Sequence, residues 1–143
     1  MKSILLQLGL LVALLVASSL RALALDDAVL IANPGVALDK LSAVELKNIY
    51  TDRTKYWDDG QAIIIVVLPD KTDVALQQAS GMDGSQFKTF WQRLAFSGRG
   101  SEPEYAGDAA ALVAFVAATK GAIALVPVAT VLTGVKKIEI KQP

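Results

Sequence analysis

Residues 62–68 of the chain, AIIIVVL, form an unbroken apolar run in which most side chains are β-branched. A run of this length and composition predicts a strand that is covered on both faces of a sheet. Residues 69–72, PDKT, break that strand, and residues 73–80 predict a short helix that stops at Gly81. A buried strand that turns directly into a helix is typical of domains in which helices cover a sheet.

The segments around this unit continue the alternation of strands and helices. Ser42 and Glu45 form a capping-box pattern, which predicts a helix over residues 43–50. Asp83 and Gln86 predict a second capped helix that ends near Ser97. Its core-facing stripe is expected to consist of aromatic and apolar residues at helical spacing: Phe87, Phe90, Trp91 and Leu94.

The remaining elements are predicted from the same signals. Residues 28–33 and 122–126 predict strands, and residues 135–140 predict an edge strand protected by charge. Asp108 predicts the cap of a third long helix, and residues 99–107 predict a loop. The core side of that helix is expected to be formed by four residues: Leu112, Val113, Phe115 and Val116. The alternation predicts a three-layer α/β or α+β domain.

The first 24 residues predict export from the cytoplasm. Met1-Lys2 is a short basic start, an almost wholly apolar stretch follows, and Ala22 and Ala24 place small residues where a signal peptidase cuts. We expect cleavage after Ala24, which leaves one domain over residues 25–143; an uncleaved membrane anchor is the alternative, because the stretch is nearly long enough to span a bilayer. The expected location is the periplasm.

Composition excludes several classes of function. The chain has no cysteine and no histidine, so disulfides, thiol nucleophiles, thiolate or imidazole metal sites and a histidine base are all absent. No cofactor or metal is expected, and no enzyme activity. Removing Lys2 and Arg21 reduces the 14 basic residues to 12, against 14 acidic ones, so the mature chain is near net −2. Nucleic acid is therefore not an expected partner.

Three motifs in order resemble one known family. Residues 41–50 follow the pattern L-S-x-x-E-L-x-x-I-Y, residues 57–63 follow W-x-x-G-x-x-I, and residues 121–127 are GAIALVP. Together they resemble the phosphate-binding proteins of ABC transporters, specifically short single-domain relatives. The resemblance implies an α/β fold: a single lobe of the type 2 periplasmic-binding-protein-like kind, with a mixed central sheet and helices on both faces. It also implies phosphate or a related oxyanion as ligand.

The first candidate site is the corner after residues 62–68. In the family, an Asp-x-Ser-Gly-Thr-like turn stands there and holds the anion at a helix start. Here Thr72 supplies a hydroxyl, as the residues of that turn do, and Lys71 would add positive charge, but the family's glycine is missing. Asp73 already complements the helix dipole and would repel an anion. An ordinary N-cap role for Thr72 is the alternative.

The second candidate is the turn that contains Ser97, Gly98 and Arg99. Its glycines could turn N–H groups toward one point, and the guanidinium of Arg99 matches phosphate or carboxylate oxygens. A helix C-cap followed by a surface arginine is the alternative. Asn33, at a strand end, is a third candidate. A pocket shared by Thr72 and Arg99 requires both corners to lie on the same side of the molecule.

Three functions follow as hypotheses. The first is an exported oxyanion-binding protein that serves transport, with an ABC transporter as its partner. The second is an interaction module that contacts a transporter, a sensor or another envelope protein and has lost ligand binding. A buried clamp would require two lobes, so a homodimer is expected if the ligand is enclosed. The third, a hydrolase that uses paired carboxylates such as Asp58 and Asp59, is disfavoured because adjacent acids usually form solvated turns.

Overall fold

A computed structural model describes residue 25 and residues 27–141. The predicted leader, residues 1–24, lies outside the described residues, so its cleavage stays a prediction. Six strands and four helices follow one another along the described chain. The strands are β1 (Ala28–Ala32), β2 (Lys40–Ser42), β3 (Ile64–Val67), β4 (Glu104–Tyr105), β5 (Ala122–Pro127) and β6 (Lys136–Lys141). The helices are α1 (Ala43–Tyr50), α2 (Asp73–Ser80), α3 (Gly84–Phe96) and α4 (Ala109–Ala118).

Local capping explains where the helices begin. Ser42 and Glu45 form the predicted capping box of α1, and Asp83 and Gln86 form that of α3. The hydrogen bonds that Glu45 accepts from the backbone and side chain of Ser42 hold its pKa below its ordinary value. Gly81 ends α2 in the left-handed conformation, at φ 78°, as its sequence position predicts.

All six strands join one mixed sheet in the order β2-β6-β1-β5-β3-β4. β3 lies between β5 and β4 and is parallel to both, with Ile65 opposite Ile123 and Val66 opposite Glu104. β1 is antiparallel to β5, and Ala28 pairs with Pro127. The start of β1 therefore lies at the same edge of the sheet as the carboxyl ends of β3 and β5.

Helices cover both faces of this sheet, as the fold class predicted. Alternating strand residues pack into two clusters, because successive side chains of a strand point to opposite faces. Leu30, Ile65 and Ile123 belong to the cluster beneath α1, α2 and α3. Ile31 and Val66 belong to the cluster beneath α4. The mixed α/β architecture is confirmed.

Three sequence-based expectations were wrong in detail. β6 is not an edge strand, because the three-residue strand β2, which has no clear pattern of its own, pairs with it in parallel. The segment predicted as a loop contains β4, whose two residues pair with the end of β3. Phe115 is 37% exposed rather than part of the core side of α4. Within the described part of the chain, no helix is long and apolar enough to cross a membrane.

Candidate functional site

The candidate residues lie around the two ends of β3. Its carboxyl end leads through residues 68–72 into α2, and the start of β1 lies beside it. Its amino end faces residues 99–103, because those residues precede β4, which runs parallel to β3. These two regions, the carboxyl-end corner and the amino-end turn, define the geometry of any site.

The carboxyl-end corner is a tight turn bordered by a small concavity. Asp70 adopts a positive φ of 64°, a conformation that favours glycine but that aspartate tolerates better than most residues. A cavity of about 130 Å³ is lined by Asp27, Ala28 and residues 70–75. The Thr72 hydroxyl is buried and donates to the Leu68 carbonyl oxygen at 3.2 Å.

The start of α2 differs from the starts of the other helices. Ser42, Asp83 and Asp108 each accept a hydrogen bond from the third amide of the helix that follows, at 3.1, 2.8 and 2.7 Å. Thr72 occupies the N-cap position of α2, but its side chain makes no capping hydrogen bond. The predicted capping role of the Thr72 hydroxyl was therefore wrong, because the hydroxyl is turned back to Leu68. The first amides of α2 are left without a side-chain acceptor from their N-cap.

Charges at this corner are mixed. The Asp27, Asp70 and Asp73 carboxylates lie near one ammonium, that of Lys71, and all four residues are exposed. Oδ1 of Asp73 lies 3.2 Å from where a Cβ on Gly84 would be, so this carboxylate is placed beside the start of α3. That placement shifts its negative charge toward the neighbouring helix.

At the amino-end turn, Ser97 and Gly98 serve to end α3. Gly98 has a φ of 73°, and its N–H donates to the Ala95 carbonyl at 3.1 Å. The Arg99 N–H donates to the Leu94 carbonyl at 3.0 Å, which completes a Schellman motif. The Ser97 hydroxyl also donates to Leu94, at 3.0 Å. The Arg99 guanidinium makes no hydrogen bond or ion pair with any described residue.

Asn33 lies at the same edge of the sheet as Arg99, and its side chain is used in hydrogen bonds within the protein. Its Nδ2 donates to the carbonyls of Val116 and Ala117 at 2.9 and 3.1 Å, and its Oδ1 accepts from the Gly35 N–H at 2.9 Å. Asn33 is 7% exposed. The two bonds from Nδ2 tie the end of β1 to the end of α4, and the bond to Oδ1 holds the turn that follows β1.

The geometry separates the six candidate residues into two groups. Lys71 and Thr72 lie at the carboxyl end of β3, whereas Ser97, Gly98 and Arg99 lie with Asn33 at its amino end. β3 spans three residue steps of about 3.3 Å each, or about 10 Å, and the two groups lie beyond its opposite ends. A pocket shared by Thr72 and Arg99, which the sequence left open, is therefore excluded.

The sequence alone did not reveal Asp27 as a lining residue of the corner. Its position depends on the antiparallel pairing of β1 with β5, and no local signal marks it. Asp58 and Asp59, the carboxylates of the hydrolase hypothesis, are exposed, and Oδ1 of Asp59 accepts from the Gln61 N–H at 2.9 Å in a turn. No cluster of metal-ligating side chains occurs among residues 27–141.

Several solved structures are similar to this chain. The chain matches a phosphate ABC transporter substrate-binding protein from Clostridium perfringens, solved with bound phosphate, with a TM-score of 0.59 and 17% identity. It matches an ABC-type phosphate transport receptor from Vibrio cholerae with a TM-score of 0.56 and 13% identity. A third match is PstS from Borrelia burgdorferi, with a TM-score of 0.53 and 9% identity.

The chain has a periplasmic-binding-protein-like fold. The matches cover 81%, 82% and 80% of this chain but 46%, 47% and 47% of the solved proteins, which is consistent with a single lobe. The structural resemblance inferred from the three motifs is thereby confirmed at the level of the fold. No family model and no curated protein matches this sequence.

Proposed function

We propose that this protein is an exported substrate-binding-protein-like domain that binds phosphate or a related oxyanion at the carboxyl end of β3. It works in the periplasm, for or near an ABC transporter. The observation that carries the proposal is the α2 N-terminus, which its N-cap side chain leaves uncapped at the edge of the sheet where α/β proteins usually bind ligands. The fold shared with phosphate transport proteins supports it.

In this proposal, backbone amides of the first turn of α2 hold the anion. A helix start offers free N–H donors and the positive end of the helix dipole. The Thr72 hydroxyl already donates its proton to Leu68, so it has none to give to an anion. The Lys71 ammonium, which is exposed, supplies the positive charge.

The same geometry sets the strength of binding. The concavity is small, and the Asp27 and Asp70 carboxylates reduce its attraction for an anion. One lobe covers the ligand on one side only, so we expect dissociation constants in the millimolar range for the monomer. Enclosure of the ligand would require a second copy of the chain, and we propose a homodimer for that state.

Isothermal titration of the secreted form with phosphate, sulfate and molybdate tests the proposal. Lys71→Gln is expected to weaken binding by about threefold to tenfold, because an exposed charge on an anion contributes about 1 kcal/mol. Asp70→Asn removes a repelling charge and is expected to strengthen binding. Lys88→Gln is the matched control, since it removes an exposed lysine from α3. Absence of heat at millimolar anion, or equal losses in Lys71→Gln and Lys88→Gln, would contradict the proposal.

A second candidate function is an interaction module of the envelope that has lost ligand binding. The observation that favours it is Phe96, whose side chain at the end of α3 is 98% exposed. Large exposed rings are enriched in protein interfaces. Crosslinking in the native envelope should recover a partner with the native chain and lose it with Phe96→Ser, while the exposed Val131→Ser leaves it unchanged. No crosslinked partner with the native chain would rule this function out.

A further inference from the structure

A cavity of about 470 Å³ lies at the amino end of β3, away from the proposed oxyanion site. We call it the amino-end cavity. Its apolar floor is formed by Ile49 of α1, by Ile63 and Ile65, and by Trp91 of α3. Asp52, residues 54–56 and residues 99–104 border it. The volume falls within the roughly 300–1,000 Å³ that is typical of small-molecule pockets.

The two bordering segments are held together before any ligand binds. The Lys55 ammonium donates to the Arg99 carbonyl at 2.7 Å and pairs with the Asp52 carboxylate at 3.3 Å. The Lys55 carbonyl in turn accepts from the Ile63 N–H at 3.0 Å. These contacts join the segment after α1, the start of β3 and the turn after α3, so the cavity is largely preformed.

The charges that remain around the cavity indicate the chemistry of its ligand. Lys55 and Asp52 neutralise each other, which leaves the Arg99 guanidinium and the Glu102 carboxylate, neither of them in an ion pair with a described residue. Glu104 pairs with Val66, whose side chain faces α4, so its carboxylate lies on the other face of the sheet. One positive and one negative charge cancel, so the cavity offers a phosphate dianion no net attraction. A ligand that carries both an ammonium and a carboxylate matches this arrangement.

The floor of the cavity adds an apolar requirement. Ile49, Ile63, Ile65 and Trp91 offer aliphatic and aromatic surface. The indole N–H of Trp91 is buried and has no acceptor among the described residues. A small shift of the floor would let this N–H donate a hydrogen bond to a ligand. An apolar body on the ligand would cover this surface.

We propose that the amino-end cavity binds a small zwitterion with an apolar side chain, of the class of the apolar α-amino acids. The Arg99 guanidinium pairs with the carboxylate through two parallel N–H donors. The Glu102 carboxylate accepts from the ammonium, and the floor covers the side chain. This site is separate from the proposed oxyanion site and does not depend on it.

Titration of the secreted form with three matched probes tests this proposal. The probes are phenylalanine, phenethylamine, which lacks the carboxylate, and phenylpropionate, which lacks the ammonium. Phenylalanine is expected to bind at least about tenfold more tightly than either of the others, because each lost charged contact costs about one order of magnitude. Tryptophan fluorescence should change on binding, since Trp91 lines the cavity.

Variants assign the binding to this cavity. Arg99→Gln is expected to weaken phenylalanine binding by about tenfold or more and Arg99→Lys by less, because lysine keeps the charge without the planar fork. Arg93→Gln is the matched control, because Arg93 is an exposed arginine of α3 that does not line this cavity. Arg99 is exposed and makes no side-chain bond to a described residue, so these variants should fold, which circular dichroism checks.

Three outcomes would overturn the proposal. The first is the absence of saturable phenylalanine binding up to roughly 10 mM. The second is equal binding by the native chain and Arg99→Gln, and the third is equal binding of phenylalanine and phenylpropionate. Failure of the oxyanion proposal is distinguishable, since Lys71→Gln should alter phosphate titrations alone and Arg99→Gln phenylalanine titrations alone.

Discussion

The two ends of β3 differ in how their polar groups are used. At the amino end, the Gly121 carbonyl accepts from the Trp57 indole N–H at 3.0 Å and from the Ile64 N–H at 3.1 Å. Asn33 adds three hydrogen bonds at the same edge of the sheet. At the carboxyl end, the Thr72 hydroxyl makes one bond to the preceding strand end, and the charged groups around it are exposed.

This difference suggests how one short strand can serve both stability and binding. At the amino end, the hydrogen bonds of Gly121 and Asn33 hold the strand in register, because leaving these buried groups unpaired would cost about 1–3 kcal/mol each. Helix amides at the carboxyl end can then remain available to a ligand without loss of the fold. Substitutions of Gly121 and Asn33 should therefore cost far more stability than a substitution of Thr72.

The largest effect is expected from Gly121→Ala. Gly121 has a φ of 79°, and an added Cβ would lie 2.1 Å from the Ala62 carbonyl oxygen, so the backbone must shift where β3 begins. We expect a loss of about 4 kcal/mol or more in the free energy of unfolding, measured by urea denaturation. Gly98→Ala is the matched control, with a φ of 73° and no atom within 4 Å, and should cost about 1 kcal/mol. Equal losses would show that the contact with Ala62 does not matter.

A smaller loss is expected from Asn33→Ala. The substitution leaves two carbonyls and one N–H without their partner in a buried setting, which should cost about 3 kcal/mol in urea denaturation. At the other end of β3, Thr72→Val replaces the buried hydroxyl with a methyl group of similar size. It should lower the free energy of unfolding by about 1 kcal/mol. If Thr72→Val proved as costly as Asn33→Ala, the contrast between the two ends would fail.

The smallest effect is expected from Tyr50→Phe at the end of α1, and it is a gain. The Tyr50 hydroxyl is buried without a partner among the described residues, while the ring packs 6.1 Å from that of Phe87. The substitution keeps the ring and removes a hydroxyl that loses its hydrogen bonds to water when the protein folds. We therefore expect the free energy of unfolding to rise by about 1 kcal/mol. Urea denaturation at neutral pH measures it. An unchanged or lower value would show that the hydroxyl has a partner in solution.

The same substitution should change the alkaline stability. Burial raises the pKa of Tyr50 above its ordinary value, so the folded state disfavours the phenolate. Stability from this group is present below the unfolded pKa of about 10 and is lost as the pH rises above it. The native chain should therefore lose stability faster above about pH 10 than Tyr50→Phe does. Tyr56→Phe, at a residue 61% exposed, is the control and should behave like the native chain.

Local patterns predicted much of the secondary structure. Ser42 with Glu45 and Asp83 with Gln86 marked the starts of α1 and α3, because a capping box depends only on residues three apart. Gly81 marked the end of α2, because glycine readily adopts the left-handed conformation that ends a helix. β2 and β4 were missed because strands of three and two residues are too short for a periodic pattern and are defined by their partners.

The sequence named individual candidate residues but did not predict how their side chains are placed or bonded. The resemblance singled out Thr72, and a helix does begin after it, but the pattern could not show that its hydroxyl turns back to Leu68. Nor could it show that Asn33 is occupied by the end of α4, more than 80 residues further along the chain. The amino-end cavity also depends on distant segments, with Lys55 reaching the carbonyl of Arg99.

By itself, then, the sequence determined the helix boundaries, the buried strands and the absence of thiol and imidazole chemistry, since each depends on residue type and short spacing. The tertiary structure alone decided which strands pair, and with that the placing of Lys71 and Arg99 at opposite ends of β3. The physical reason is that strand pairing joins residues far apart in the chain through backbone hydrogen bonds, and these depend little on which side chains the residues carry.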